Sequence, residues 1–152
     1  MFSSELKTFI EKNKDKKIVF TNGCFDILHR GHVAYLNEAK AQGDVLILGL
    51  NSDASVKRLK GESRPINSEQ DRKFVIENLK AIDFVEIFTE DTPYNLIKEI
   101  MPDILVKGGD WKPEQIIGSD IVLANGGEVK SLLFIDGFST TNTIEKASIT
   151  RN

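Results

Sequence analysis

The run Asp44–Leu50, DVLILGL, is the strongest constraint on the fold, because after its first residue it is continuously apolar and leaves no face for water. A short strand of that kind belongs inside a parallel sheet covered on both faces by helices. The rest of the chain alternates in the way such a sheet requires. Helical spacing over Ser4–Lys14 precedes a strand at Lys17–Thr21, and a helix over Val33–Ala41 stops at Gly43. A short helix at Asp53–Leu59 leads through the polar loop KGESRPIN to a helix opened by Ser68 and Asp71 and running to Leu79. Phe84–Phe88 reads as a strand, Thr92-Pro93 as the cap and first turn of a helix over Tyr94–Ile100, and Ile104–Lys107 as a strand. A helix at Ser119–Ala124, a strand at Val129–Phe134 and a helix from about Thr140 complete the series. No linker or repeat interrupts it, so the expectation is one α/β domain spanning 1–152.

Against this background the segment Phe20–Leu36, FTNGCFDILHRGHVAYL, stands out chemically. The chain has two histidines, and both, His29 and His32, fall here, separated by Arg30 and Gly31. Residues three apart at a helix start project to one side, so both imidazoles can face one anionic group. A lone histidine would be read as incidental decoration; the pair asks for a chemical reason. The neighbouring Cys24 is the sole cysteine, which excludes an intrachain disulfide and a cysteine-cluster zinc site. It reads as a small residue at a tight turn in preference to a reactive thiol.

A formal charge of -3 argues against broad electrostatic binding to nucleic acid. No apolar segment approaches membrane-spanning length, and the first residues lack the apolar stretch of a signal peptide, so the cytoplasm is the expected location. Three polar segments follow strands: TNGCFDILHRGH, KGGDW and DGFSTTNTI. In an open parallel sheet ligands bind beyond the carboxyl ends of strands, where strand order reverses. Gly23 offers exposed backbone N–H groups, the helix after His29 a positive dipole end, and Ser139, Thr140 and Thr141 hydroxyls at another helix start. Together they describe a phosphate site without a P-loop or a G-x-G-x-x-G pattern. Lys57, Arg64, Arg72 and Lys107 are cations near the same edge, each a solvated surface charge if taken alone.

These motifs resemble the cytidylyltransferase-like nucleotidyltransferases, in which H-x-G-H pairs with a distant S-T-T. Within that family, TNGCFDILHRGHVAYL, GLNSDASVKRLKGESRPI, EDTPYNLI, PDILVKGGDW and DGFSTTNTI are similar to the adenylyltransferase domain of ADP-heptose synthases. The resemblance implies a single Rossmann-like domain with a mainly parallel five-stranded sheet and helices on both faces. It implies transfer of AMP from ATP to D-glycero-D-manno-heptose 1-phosphate, giving ADP-heptose for the lipopolysaccharide inner core or related glycans, with Mg²⁺ on the triphosphate and no metal held by the protein. The sugar-kinase domain that many relatives carry has no room here, and a homodimer is plausible.

By the same resemblance His29, His32 and Lys57 would be catalytic. Thr21, Asn22, Gly23, Cys24, Phe25, Gly31, Gly108, Asp110, Ser139, Thr140 and Thr141 would join the histidines around the nucleotide. Asn51, Asp53, Lys57, Arg64, Arg72 and Lys107 would surround the sugar phosphate. Asp26 is read as a structural acceptor, Asp110 competes with a loop-ordering role, and Ser139–Thr141 with simple capping. Two departures qualify the likeness. Phe134 stands where glycerol-phosphate cytidylyltransferases typically carry arginine, which weakens a CTP assignment, and Trp111 stands where tyrosine is common in the heptose group. The alternatives are a cytidylyl or adenylyl transferase for glycerol 3-phosphate, ethanolamine phosphate or FMN, and a nucleotide-binding module without turnover.

Overall fold

The computed structural model describes residues 2–133 and 139–148. The elements run α1 (Ser4–Lys12), β1 (Ile18–Gly23), α2 (Arg30–Lys40), β2 (Val45–Asn51), α3 (Asp53–Lys60), α4 (Glu69–Glu77) and β3 (Phe84–Phe88). They continue as α5 (Tyr94–Ile100), β4 (Ile104–Gly108), a 3₁₀ turn at Pro113–Gln115, α6 (Ser119–Ala124), β5 (Glu128–Leu132) and α7 (Thr140–Ser148). The sheet is ordered β3-β2-β1-β4-β5, and every neighbouring pair is parallel.

All of β2 is buried, as its unbroken apolar run requires. Apolar side chains leave the strands alternately to two cores. On one face Val19, Leu46, Leu48 and Val106 pack with Tyr35, Leu36 and Ala39 of α2 and Ile76 of α4. On the other, Phe20, Ile47 and Leu105 meet Leu6 of α1, Leu96, Ile97 and Ile100 of α5, and Val122 of α6.

The chain moves outward from β1 through β2 to β3 and then returns to lay β4 on the opposite side of β1. Strand order therefore reverses between β1 and β4. The pairing of β1 with β2 continues to Gly23↔Leu50, whereas β1 and β4 pair only at Val19↔Ile104 and Phe20↔Leu105. Beyond Phe20 no ladder joins these two strands, and a crevice opens at their carboxyl ends.

Several boundaries differ from expectation, two of them for identifiable local reasons. Helix α2 begins at Arg30, not Val33, because His29 itself serves as its N-cap. Pro93, not Thr92, is the N-cap residue of α5, while the Thr92 hydroxyl accepts only a long bond, 3.4 Å, from the Tyr94 N–H. The strand expected over Val129–Phe134 is observed as Glu128–Leu132. Phe134, and with it the departure from the glycerol-phosphate pattern, lies outside the described residues, as do Asp136, Gly137 and Phe138 of the last motif.

Candidate active site

A cavity of about 620 Å³ occupies the crevice, with walls from the ends of β1, β2 and β4, the end of α3, the loop between β3 and α5, and the starts of α2 and α7. His29 and His32 line it and form a reciprocal cap. The His32 N–H donates to His29 Nδ1 at 3.4 Å, and the His29 N–H donates to His32 Nδ1 at 3.3 Å. The bonds are long, and the His32 N–H also reaches the His29 carbonyl at 3.1 Å; they nonetheless cap a helix start, whose first N–H groups have no α-helical partner. A nitrogen that accepts cannot carry the proton, so each neutral imidazole holds its hydrogen on Nε2. The rings stack with centroids 3.8 Å apart and planes at 20°.

Burial lowers the His29 pKa, and burial together with the charges of His29 and Lys60 brings His32 down to about 4. Both rings are thus neutral at pH 7. Phe25 props His32 from the side in an edge contact, with centroids 5.2 Å apart. Its backbone has φ of +47°, an uncommon value for an aromatic residue, and a Cβ on Gly23 would sit 2.6 Å from its ring. Glycine at 23 is what lets the Phe25 ring lie there.

Positive charge reaches the cavity from Lys60, Arg64 and Lys107. The Lys107 pKa is lowered by burial, and its ammonium lies 5.7 Å from the centroid of the Trp111 ring. Trp111 is itself fixed: its backbone N–H donates to Ser131 Oγ at 3.1 Å and its indole N–H to the Gly108 carbonyl at 3.0 Å. Burial pushes the Cys24 thiol pKa up, partly offset by Lys60, Arg72 and Arg64, so the side chain is a wall and not a nucleophile.

Of the residues expected around ligands, Asn22, Gly23, Cys24, Phe25, His29, His32, Asn51, Arg64, Lys107, Gly108, Ser139 and Thr141 line this cavity. Several others do not. Thr21 is buried, its hydroxyl 2.6 Å from that of Tyr35, and Gly31 is buried within α2. Asp110 is exposed on its loop, and the Thr140 side chain is outside those described. Lys57 is exposed on α3 and does not line the cavity, while Lys60, one turn later and not singled out in the sequence, does.

Arg72 requires a correction. Its side chain has no exposure. The guanidinium donates to the carbonyls of Cys24 and Asn51, both at 2.8 Å, to the Asn67 carbonyl at 3.0 Å, and to Asp53 Oδ1 at 2.8 Å. These bonds tie the ends of β1 and β2 to α3 and the following loop, and they occupy the fork that a sugar phosphate would need. Asp53 is likewise committed to Arg72. Asp26 has the structural part expected of it: fully enclosed, it accepts from the Ile66 and Asn67 N–H groups and from Arg64 Nε at 3.0 Å. Burial would raise its pKa, but these donors outweigh burial and hold it below the usual carboxylate range.

Residues 20–142 match the family model described as cytidylyltransferase-like. The chain belongs to the cytidylyltransferase-like family. It is 57% identical over 152 residues to the bifunctional protein HldE of Aliarcobacter butzleri, covering 95% of this chain and 31% of that protein. Against HldE of a Marinomonas species it is 61% identical over 134 residues, 88% of this chain and 28% of the relative. The chain thus spans less than a third of the length of these curated relatives. A crystal structure of a lipopolysaccharide core biosynthesis protein from Thermoplasma volcanium superposes with a TM-score of 0.64 at 31% identity, covering 79% of this chain and 97% of the other. In cytidylyltransferase-like terms, the histidine pair at the start of α2 is the H-x-G-H motif, here seen as a mutual backbone cap.

Proposed function

We propose that this domain transfers AMP from ATP to D-glycero-D-manno-heptose 1-phosphate, giving ADP-heptose and pyrophosphate. The observation that carries the reading is the pair of neutral imidazoles presented at a helix N-terminus in the strand-reversal crevice, in a chain so similar to HldE. An oxygen of the sugar phosphate attacks the α-phosphorus of ATP. A new P–O bond forms, the bond to the β-phosphate oxygen breaks, and its electron pair leaves with pyrophosphate. The nucleophile is already anionic, so alignment and stabilisation of charge on the phosphoryl oxygens suffice.

In this reading His32 donates to those oxygens through Nε2–H and His29, whose Nε2 is enclosed, stands against them, while the α2 dipole and the Gly23–Phe25 backbone add to the same field. Lys60, Arg64 and Lys107 supply the formal positive charge that the neutral histidines do not. Ser139 and Thr141 contribute hydroxyls from the start of α7. Among the described residues no group of three or more His, Cys, Asp or Glu side chains could hold a metal, and Asp26 is consumed by the loop at 64–67. On the same reading Mg²⁺ is carried on the triphosphate with its own waters, where it would neutralise phosphate charge. The reaction, so read, runs where its nucleotide substrate is available, in the cytoplasm.

Incubation with Mg²⁺, ATP or CTP, and a panel of sugar, polyol and ethanolamine phosphates, followed by pyrophosphate release, tests the assignment. Turnover should be strongest with ATP and the heptose 1-phosphate. Strong turnover with CTP and a polyol phosphate, with none for the heptose, would overturn it.

A further inference from the structure

The cavity carries two chemistries side by side. Over β1, β2 and β4 it is lined by the histidines, Lys60, Arg64 and Lys107, all suited to phosphate. Over β3 the wall is Asp91, Thr92 and Pro93, from the loop between β3 and α5. A carboxylate repels phosphate, so this wall serves another part of the ligands. We propose that the Asp91 carboxylate and the Thr92 hydroxyl bind hydroxyl groups of the acceptor sugar and so select it. The assignment rests on the adenylyl-transfer reading above and adds the residues that choose the acceptor.

The loop is built to hold that carboxylate in place. Arg58 Nε donates to Asp91 Oδ1 at 2.8 Å, and the same guanidinium also donates to the Thr89 carbonyl. Ser55 Oγ donates to the Glu90 carbonyl at 3.3 Å, and the Ser52 N–H to the Phe88 carbonyl at 2.9 Å. The links run from the start of α3 or its body to the end of β3 and the loop that follows it, so α3 sets the loop's position. The Asp91 side chain is 69% exposed, and among the described residues its Oδ2 accepts no hydrogen bond. An ion pair this exposed adds little stability, so anchoring the fold does not explain its geometry. One carboxylate oxygen is paired with Arg58, and the residue lines the cavity with the other left to accept.

Sheet order gives the direction. β3 lies two strands from β1, on the order of 10 Å at ordinary strand spacing, and on the side away from β4. The flat and apolar groups suited to a nucleoside base, Trp111 and Ile117, belong to the β4 side. With the base there and the phosphates over β1, the acceptor's body falls toward β3. Its phosphate would reach Lys60 and Arg64, and its hydroxyls the loop. Carboxylate and threonine hydroxyl together accept and donate, as recognition of neighbouring sugar hydroxyls demands.

Steady-state kinetics on the intact chain, with Mg²⁺-ATP and the heptose 1-phosphate varied separately, tests this. Asp91→Ala should raise KM for the sugar phosphate by roughly tenfold or more while KM for ATP stays within about twofold, the asymmetry expected when a site built to hold a hydroxyl loses its partner. Thr92→Val should shift the same constant in the same direction by less. Unchanged KM for the sugar phosphate in both variants, or equal rises for both substrates, would overturn the loop assignment and leave adenylyl transfer standing. A wild-type protein inert toward every sugar phosphate would remove the functional reading and this one with it. Preferential turnover of ethanolamine phosphate would give the carboxylate to an ammonium group and overturn the sugar assignment.

Discussion

Protonating His32 puts a hydrogen on Nδ1, the atom that accepts from the His29 N–H, so charge on this ring and the α2 cap are mutually exclusive. With the folded-state pKa near 4 against 6.5 for the free side chain, the unfolded chain takes up the proton first as pH falls. Stability from this group is therefore complete above about pH 6.5 and declines as pH falls toward about 4. An NMR titration of the ring carbons should give His32 a midpoint well below the ordinary histidine range; a midpoint at or above it would refute the locked tautomer. Replacing His32 by Ala should lower kcat by at least roughly a hundredfold, the scale for one lost transition-state donor, and unchanged kcat would remove it from the mechanism. The pairing of these histidines was legible from spacing alone. The cations were not, because Lys57, Lys60 and Arg72 look alike in sequence and differ only in where the fold points them. Arg72 is the instructive case: Arg72→Lys places one ammonium against acceptors that a guanidinium fork spans. Denaturant unfolding should show a loss of about 3–5 kcal/mol, the cost of leaving buried partners unmatched; a loss below about 1 kcal/mol would mean that the ties to β1 and β2 are dispensable.

At the scale of elements, α2 starts about a turn earlier than its sequence suggests, because histidine is not among the residues that usually cap a helix, and only the reciprocal bonds reveal it. The strands and the short helices α5 and α6 were legible because apolar period and flanking turn residues agree there. What holds α2 against the crevice was not legible at all. Tyr35, one turn after His32, reaches the place where β1 and β4 cease to pair. Its hydroxyl lies 2.6 Å from Thr21 Oγ1 on β1 and donates at 3.5 Å to the Val106 carbonyl on β4. Burial raises its pKa to about 12, so it stays protonated and able to donate. Tyr35 thus acts through position, fixing the histidine-bearing turn relative to both strands. Tyr35→Phe should cost about 1 kcal/mol of stability for the hydrogen bonds and lower kcat by roughly tenfold, with both KM values nearly unchanged. Adding Thr21→Val should lower kcat little further, since the two hydroxyls act as one unit. Fully additive losses would show that the bridge between the strands has no role in placing the histidines.

For the molecule as a whole, alternation of elements and the buried β2 were enough to anticipate a parallel sheet with a ligand site at one edge. They could not say which strands part, because strand order depends on contacts between residues far apart in the chain. Once β1 and β4 are seen to separate, segments from Asn22 to Thr141 are found around a single cavity. A ligand filling it therefore joins β1, β2, β4, the end of α3, the loop after β3 and the starts of α2 and α7, and it can bind only the assembled domain. Such binding stabilises by mass action: at a hundred times Kd, Mg²⁺-ATP should add about 2.7 kcal/mol, or roughly 5–10 °C in Tm for a chain of this size. The sole tryptophan, Trp111, lines the same cavity and reports the event directly. Its emission should change on addition of Mg²⁺-ATP, and the midpoint of that change should match the Kd derived from the thermal shift. A Tm that rises while Trp111 emission stays constant would put the nucleotide elsewhere on the domain. If both respond with one midpoint and His32→Ala weakens both far less than it lowers kcat, the histidine acts chiefly on the transition state and the cavity as a whole supplies ground-state affinity.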